Sequence, residues 1–441
     1  MFLMSRTRIH TYLLFLSLFT SFTGCIEEVE IERTLKSDIV ADDILVVEAT
    51  ITNELKTQQV SLSRARSFAN DSTLLFEKNA IVEISTDSGD VYQFEDQGDG
   101  NYLSKTPFAA EEGIAYQLSV TTSKGEQLQS DKVVSIGESN IDDIYAERII
   151  SDSGEDGMAI FVDSSNPSDG FNNYRYTYEE TYKIIAPNWT SREFEIIRPN
   201  FELVTDPVTE EVVEVLYPDV QLVPRKNEEQ ICFNTVLSNQ IILSDGNALD
   251  QNSITRNQIR FISRNNPILS HRYSILVRQF LQSPGASDFY RTLLQFSQSE
   301  NIFTEIQPGL IEGNISAVNN TQTVVIGFFD VASLAERRLF FNYTDFFPNE
   351  ELPPYFGTVN CKSFFAPPLG NPEKDGPTRP GEEGCPRVQT LTDLIQLEEI
   401  EYFGDNDPPD ECQGPFLVTQ RECGDCTALG SNIVPEFWID G

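Results

Sequence analysis

Seven cysteines and two histidines bound the chemistry open to this 441-residue chain. The most closely spaced soft ligands are in Cys423-Gly424-Asp425-Cys426. Such a pair can hold zinc, cycle between thiol and disulfide, or cross-link a fold. Zinc needs two further soft ligands at defined spacing, and neither Cys385 nor Cys412 forms a second C-x-x-C. A thioredoxin-type centre needs a βαβ setting, which the strand-rich sequence around this pair lacks. Structural disulfides are the favoured reading for an exported chain, with Cys232, Cys361, Cys385, Cys412, Cys423 and Cys426 as candidates. If all six pair, about fifteen connectivities are open. His10 lies in an apolar leader, so a Ser-His-Asp or Cys-His centre would have to use His271, which has no nucleophile pattern beside it. No G-x-S-x-G, H-E-x-x-H, P-loop or dinucleotide fingerprint occurs. No catalytic residue, metal site or cofactor is therefore assigned. Paired carboxylates for glycoside hydrolysis stay open, because their separation is spatial rather than sequential. The run Glu398, Glu399, Glu401, Asp405, Asp407, Asp410 and Glu411 reads as a solvated loop, with cation binding as the alternative.

The remaining cysteine has a different setting. Arg6 and Arg8 precede the apolar run Tyr12 to Phe19, and Thr23-Gly24 leads into Cys25. Basic, apolar and small residues in that order form a secretory signal, and the apolar run is too short to span a bilayer at about 20 residues. Phe22-Thr23-Gly24-Cys25 resembles a bacterial lipobox, in which cleavage leaves the cysteine at the N-terminus and its thiol is acylated. The expected layout is a signal peptide at 1–24 and a palmitate-type anchor on Cys25. An acidic linker then covers residues 25–40. Glu27 and Glu28 resemble the surface-export signal of Bacteroidota outer-membrane lipoproteins, the alternative being a merely acidic linker. An ordinary secreted protein with Cys25 in a disulfide is the competing expectation.

The charge agrees with a body held in solvent. The formal net charge is −38, from 31 basic and 69 acidic residues, and loss of the leader removes only Arg6 and Arg8. Nucleic acid and anionic lipid are excluded as partners, since both would be repelled.

These side chains must be positioned by strands. Ile44 to Ile51 starts a β pattern, and further alternating runs follow at Val60, Ile81, Val91, Asn101 and Tyr116. Asp87-Ser88-Gly89-Asp90, Gln97-Gly98-Asp99-Gly100 and Ser123-Lys124-Gly125 supply the turns. We place a β-sandwich at 41–138 and a larger β-rich domain at 139–441, with one or few helices and a disulfide-stapled C-terminal tail. Asp96 to Asn101 could suggest a calcium loop, but Gly98 and Gly100 occupy ligand positions, so a hairpin turn is preferred. Tyr174, Tyr176 and Tyr178 alternate and must share one strand face. That face is either core packing or an exposed aromatic platform for a ligand such as a sugar. "ASDFYRTLLQFSQSEN" has helical spacing. Phe364 to Pro386 is a Pro- and Gly-rich loop bracketed by Cys361 and Cys385, a pairing that would restrict the unfolded chain.

"GNISAVNNTQTVVIGFFDVAS", followed by "CGDCTALGSNIVPEFWID", resembles the Bacteroidota lipoprotein family known as domain-of-unknown-function family 4249. "HRYSILVRQFLQSPGASDFYRTLLQFSQSENIFTEIQPGLIEGNI" is similar to its middle and "ILVVEATITNE" to its start. The resemblance implies an immunoglobulin- or transthyretin-like first domain, related to carboxypeptidase-regulatory sandwiches. It also implies a surface role as accessory to a TonB-dependent outer-membrane receptor in nutrient uptake. An envelope hydrolase and a structural adhesin are the competing expectations. The insert between Cys361 and Cys385 departs from the family pattern, and the resemblance carries over no catalytic residue.

Overall fold

The computed structural model describes residues 44–65, 75–135, 137–165, 173–197, 201–205, 212–216, 219–245, 253–298, 311, 313–318, 324–357, 361–367, 391–409 and 413–441. Cys25, Glu27, Glu28, Cys385 and Cys412 lie outside them.

The first unit is built from β1 (Ile44–Thr52), β2 (Gln59–Ala65), β3 (Leu75–Phe76), β4 (Ile81–Thr86), β5 (Val91–Asp96), β6 (Asn101–Ser104), β7 (Ala115–Thr121), β8 (Gln127–Ser130) and β9 (Val133–Val134). Alternation drives it: Leu45, Val47, Ala49 and Ile51 of β1 point into one core, while Glu48 faces solvent. Tyr102, Leu118 and Ile84 join the same core from neighbouring strands. The Gly98–Asp99–Gly100 turn closes β5 onto β6, with Asp96 Oδ1 accepting from the Gly98 amide at 2.7 Å and Asp99 Oδ1 from Asn101 N at 3.1 Å. It is a hairpin, held by its own side chains.

The second unit contains β10 (Asn140–Ile150), β11 (Asp156–Ser165), β12 (Asn173–Ile185), β13 (Arg192–Ile197), β14 (Phe201–Thr205), β15 (Val212–Leu216), β16 (Asp219–Pro224), β17 (Ile231–Leu237), β18 (Ile242–Asp245), β19 (Ser253–Ser263) and β20 (Arg272–Leu281). Helix α1 (Pro284–Gln298) follows, then β21 (Ile315–Ala317), the 18-residue β22 (Val325–Asn342) and α2 (Tyr343–Phe346). The tail adds β23 (Phe364–Phe365), α3 (Leu391–Gln396), β24 (Ile400–Asp405), β25 (Phe416–Gln420) and α4 (Arg421–Gly424).

Strand β22 joins the two units. Its first half pairs in parallel with β1, from Leu45↔Val325 to Thr52↔Ala332, and its second half pairs antiparallel with β20, from Leu281↔Ser333 to Arg272↔Asn342. Phe329 and Val331 thereby enter the first core, as does Ile315 of β21. The first unit therefore shares its core with chain that arrives far later, Val325 lying beside Leu45. The approach is close: a Cβ on Gly327 would lie 2.2 Å from Val47 O, and one on Gly313 would lie 1.6 Å from Gly327 O. Only glycine fits at either place.

Beyond this junction, β12, β20 and the end of β22 pack against the three-stranded sheet β10–β11–β19. Tyr174, Tyr176 and Tyr178 are at most 6% exposed in that core. This corrects the platform reading: the row does share one face, but the facing sheet covers it, because large rings gain most by leaving water. Among the described residues two disulfides secure the tail, Cys232–Cys426 onto β17 and Cys361–Cys423 within the tail itself. Of the connectivities left open, Cys361 takes Cys423 as its partner and not Cys385. Cys423 and Cys426 take different partners, so the C-x-x-C motif is structural and not a redox pair.

Candidate functional site

Helix α1 starts where β20 ends. Ser283 caps it, its Oγ accepting from Ala286 N at 3.3 Å, and Pro284 follows where a missing amide hydrogen has no consequence. The helix lays Phe289 on Phe328 of β22, ring centroids 5.6 Å apart, and Tyr290 beneath the Arg175 guanidinium at 4.7 Å. Between the first turns of α1, the Asp131–Val134 segment and Gly313–Asn314 lies a cleft of about 640 Å3. Phe289 and Phe328 form its apolar wall, and Ser283, Asp288, Thr292, Asn314, Asp131 and Lys132 supply polar groups. Asn314 closes one end, its amide donating to Phe329 O and accepting from Phe329 N, both at 2.8 Å, as a neighbouring strand would. The cleft is open to solvent along one side.

Behind Ser283 the sheet face is polar and buried. Strand registers place Thr52, Arg175 and Asp330 on one face, the face that α1 covers, and Gln282 follows directly after β20. Asp330 is 1% exposed, and Ser283 Oγ donates to its Oδ1 at 2.8 Å. Burial pushes the Asp330 carboxyl up to about 6, against the opposing pull of the Ser283 hydroxyl and the Arg175 charge. Thr52 Oγ1, Arg175 Nε, both amide atoms of Gln282 and Asp330 Oδ2 are buried without a hydrogen-bond partner among the described residues. Buried polar atoms are nearly always paired, and ordered water is the usual partner where the protein supplies none.

A second charged cluster lies under the tail, around a recess of about 190 Å3. Arg225 bridges Glu229 and Glu401, the latter at 2.7 Å, and Arg421 bonds to Glu398 and reaches Asp425 at 3.5 Å. Burial raises Glu401 to about 7 despite Arg225, with Asp425 and Glu229 adding repulsion. Part of the acidic run expected as a solvated loop is thus an ion-pair staple, with Glu401 inside it. Asp410 and Glu411 fall outside the described residues. No group of three or more His, Cys, Asp or Glu among the described residues is arranged to hold a metal.

Sequence reasoning placed none of its candidate residues at the α1 cleft. A usable signal existed: Asp330 is the one charge in the apolar run "VVIGFFDVAS", and a buried strand rarely keeps a carboxylate without a use for it.

No curated protein matches the chain. Among solved structures, the crystal structure of a DUF4785 family protein from Legionella pneumophila is aligned over 54% of this chain and 51% of its own length. Identity is 10% and the TM-score 0.15, too low to carry any argument. The family described as domain of unknown function (DUF4249) matches residues 26–338, well over half of the sequence. Its span includes both halves of the junction that builds the α1 cleft, and the chain belongs to that family.

Proposed function

We propose that the protein is a lipid-anchored binding module on the outer-membrane surface of a Bacteroidota cell, serving as accessory to a TonB-dependent barrel in nutrient uptake. The observation that carries this reading is Cys25, set between an apolar leader and Glu27-Glu28. A triacylated cysteine holds a soluble body durably, since each buried methylene contributes about 0.8 kcal/mol. The DUF4249 membership supports it, and the α1 cleft is the part of the body suited to a small ligand. Metabolic labelling with palmitate is expected to mark the wild type and not Cys25→Ala. Protease shaving of intact cells is expected to remove the body, and gentle solubilisation to retain a barrel partner. A chain unmarked by palmitate, or protected until the outer membrane is broken, refutes the proposal.

A second reading is favoured by one observation, the raised Glu401 beside Glu229. Two carboxyls around one recess, one of them pushed up by burial, is the kind of pair that glycoside hydrolysis uses. Turnover of chromogenic glycosides that disappears in Glu401→Gln would establish it. Lack of turnover leaves the pair as a staple, and uptake independent of the gene would point to an adhesin.

A further inference from the structure

Strand β17 stands at the end of its sheet, paired with β12 along one side. On the other side Phe233 N donates to Ser431 O and Ser431 N to Phe233 O, both at 2.8 Å. That pairing ends at once, because Leu429 turns into the second core. The phase of the strand decides what is left. Phe233 points its N–H and C=O outward, while Ser238 N donates inward to Tyr178 O at 2.8 Å, so Thr235 and Leu237 also point outward. No strand among the described residues takes up their N–H and C=O groups. Val236 and Leu237, on opposite faces, are 41% and 65% exposed.

Proteins usually guard such an edge with charge. The edge strands β10, β13, β14, β15, β16, β19 and β24 each carry at least one charged side chain, whereas β17, from Ile231 to Leu237, carries none. The chain that borders it is acidic. From Thr427 to Gly441 the tail holds Glu436 and Asp440 and no lysine or arginine. Trp438 brings that segment against β17, its ring 4.8 Å from that of Phe233, and Asp440 lies 4.0 Å from Lys183, the residue opposite Phe233 in β12. A second copy of the chain would bring the same acidic tail and a net charge of −38 to the contact, and is repelled. A basic strand is attracted.

We propose that the outer edge of β17 receives an extended segment of a partner protein as an added strand, with apolar side chains at alternate positions beside Val236 or Leu237 and lysine or arginine at its ends. Main-chain bonds to Thr235 and Leu237 supply the affinity, and the side chains beside Val236 and Leu237 the choice of partner. The inference does not rest on the lipid anchor, since palmitate labelling and protease shaving read Cys25 and not this edge.

The test is fluorescence anisotropy of a short labelled peptide, alternating valine and threonine with lysines at both ends, titrated with the full mature chain. It is expected to bind with a Kd of about 0.1 mM or tighter. The same peptide with glutamates at its ends, or N-methylated along its backbone, is expected to bind at least about tenfold more weakly. Thr235→Pro removes one outward N–H, a change that an edge strand tolerates, and Leu237→Lys sets a like charge on an exposed position. Each is expected to weaken the lysine peptide about tenfold. Ile150→Lys, equally exposed at 65% but on β10, is expected to leave the affinity unchanged. No binding of the lysine peptide, equal binding of the glutamate or N-methylated peptide, or binding indifferent to both edge variants would overturn the proposal. A wild-type dimer in sedimentation that Leu237→Lys dissolves would overturn it too, by making a second copy the occupant.

Discussion

Replacing Asp330 by asparagine tests the burial of this carboxyl directly through stability. The carboxyl titrates at about 6 in the folded chain against 3.8 when exposed. A shift of that size corresponds to a penalty of about 3 kcal/mol on the folded state once the group is ionised. The folded pKa is raised, so between 3.8 and about 6 the native state binds more protons than the unfolded chain. The favourable contribution is therefore complete below the unfolded value and is lost as pH rises through about 6. Integrated from pH 4.5 to 7.5, the loss is about 2 kcal/mol. Asparagine is close in shape and keeps an acceptor for Ser283 Oγ, but does not titrate. Its unpartnered amide adds an offset that is the same at every pH. Urea unfolding of both proteins at pH 4.5, 6 and 7.5, followed by circular dichroism, isolates the effect. The difference between variant and wild type is expected to move by about 2 kcal/mol in favour of the variant, and to level off above pH 7. Many other carboxylates titrate in this range, and the subtraction removes them. Parallel pH profiles would refute the reasoning, because they would mean that Asp330 is hydrated and the face behind Ser283 is wet.

The buried Arg64 bonds to Glu77 and Glu126, each at 2.7 Å. Arg64→Met leaves the buried Glu77 carboxylate without its counter-charge and held only by Ser123, so a loss of about 3 kcal/mol is expected, largely recovered in Arg64→Met/Glu77→Met, as read by chemical denaturation. Cys232–Cys426 closes a loop of 194 residues, so the Cys232→Ser/Cys426→Ser pair is expected to lose up to about 5 kcal/mol on the chain-entropy account. An unchanged urea midpoint would show that the tail adds nothing to the second core.

Local rules read well wherever the decision was local. The alternation in Ile44 to Ile51, the Gly98–Gly100 hairpin and the amphipathic run that became α1 each follow from neighbours a few residues apart. The tyrosine row shows the limit. Period-2 spacing puts Tyr174, Tyr176 and Tyr178 on one face, but whether that face meets water or the sheet β10–β11–β19 depends on residues that are remote in sequence. Disulfide choice has the same character, because Cys361 and Cys423 meet only after the tail has folded across β17 and β25.

By itself the sequence determined the class of secondary structure, the acidic surface, the family and the shortage of histidine for catalysis. These depend on composition and short-range pattern, which need no partner from elsewhere in the chain. Tertiary structure alone decided that β22 would run from one core into the other, and so bring Asp330 and Arg175 onto one covered face with Ser283 against Asp330. Long-range register selects which side chains become neighbours. It is fixed by the summed burial of two cores, to which no single segment holds the key.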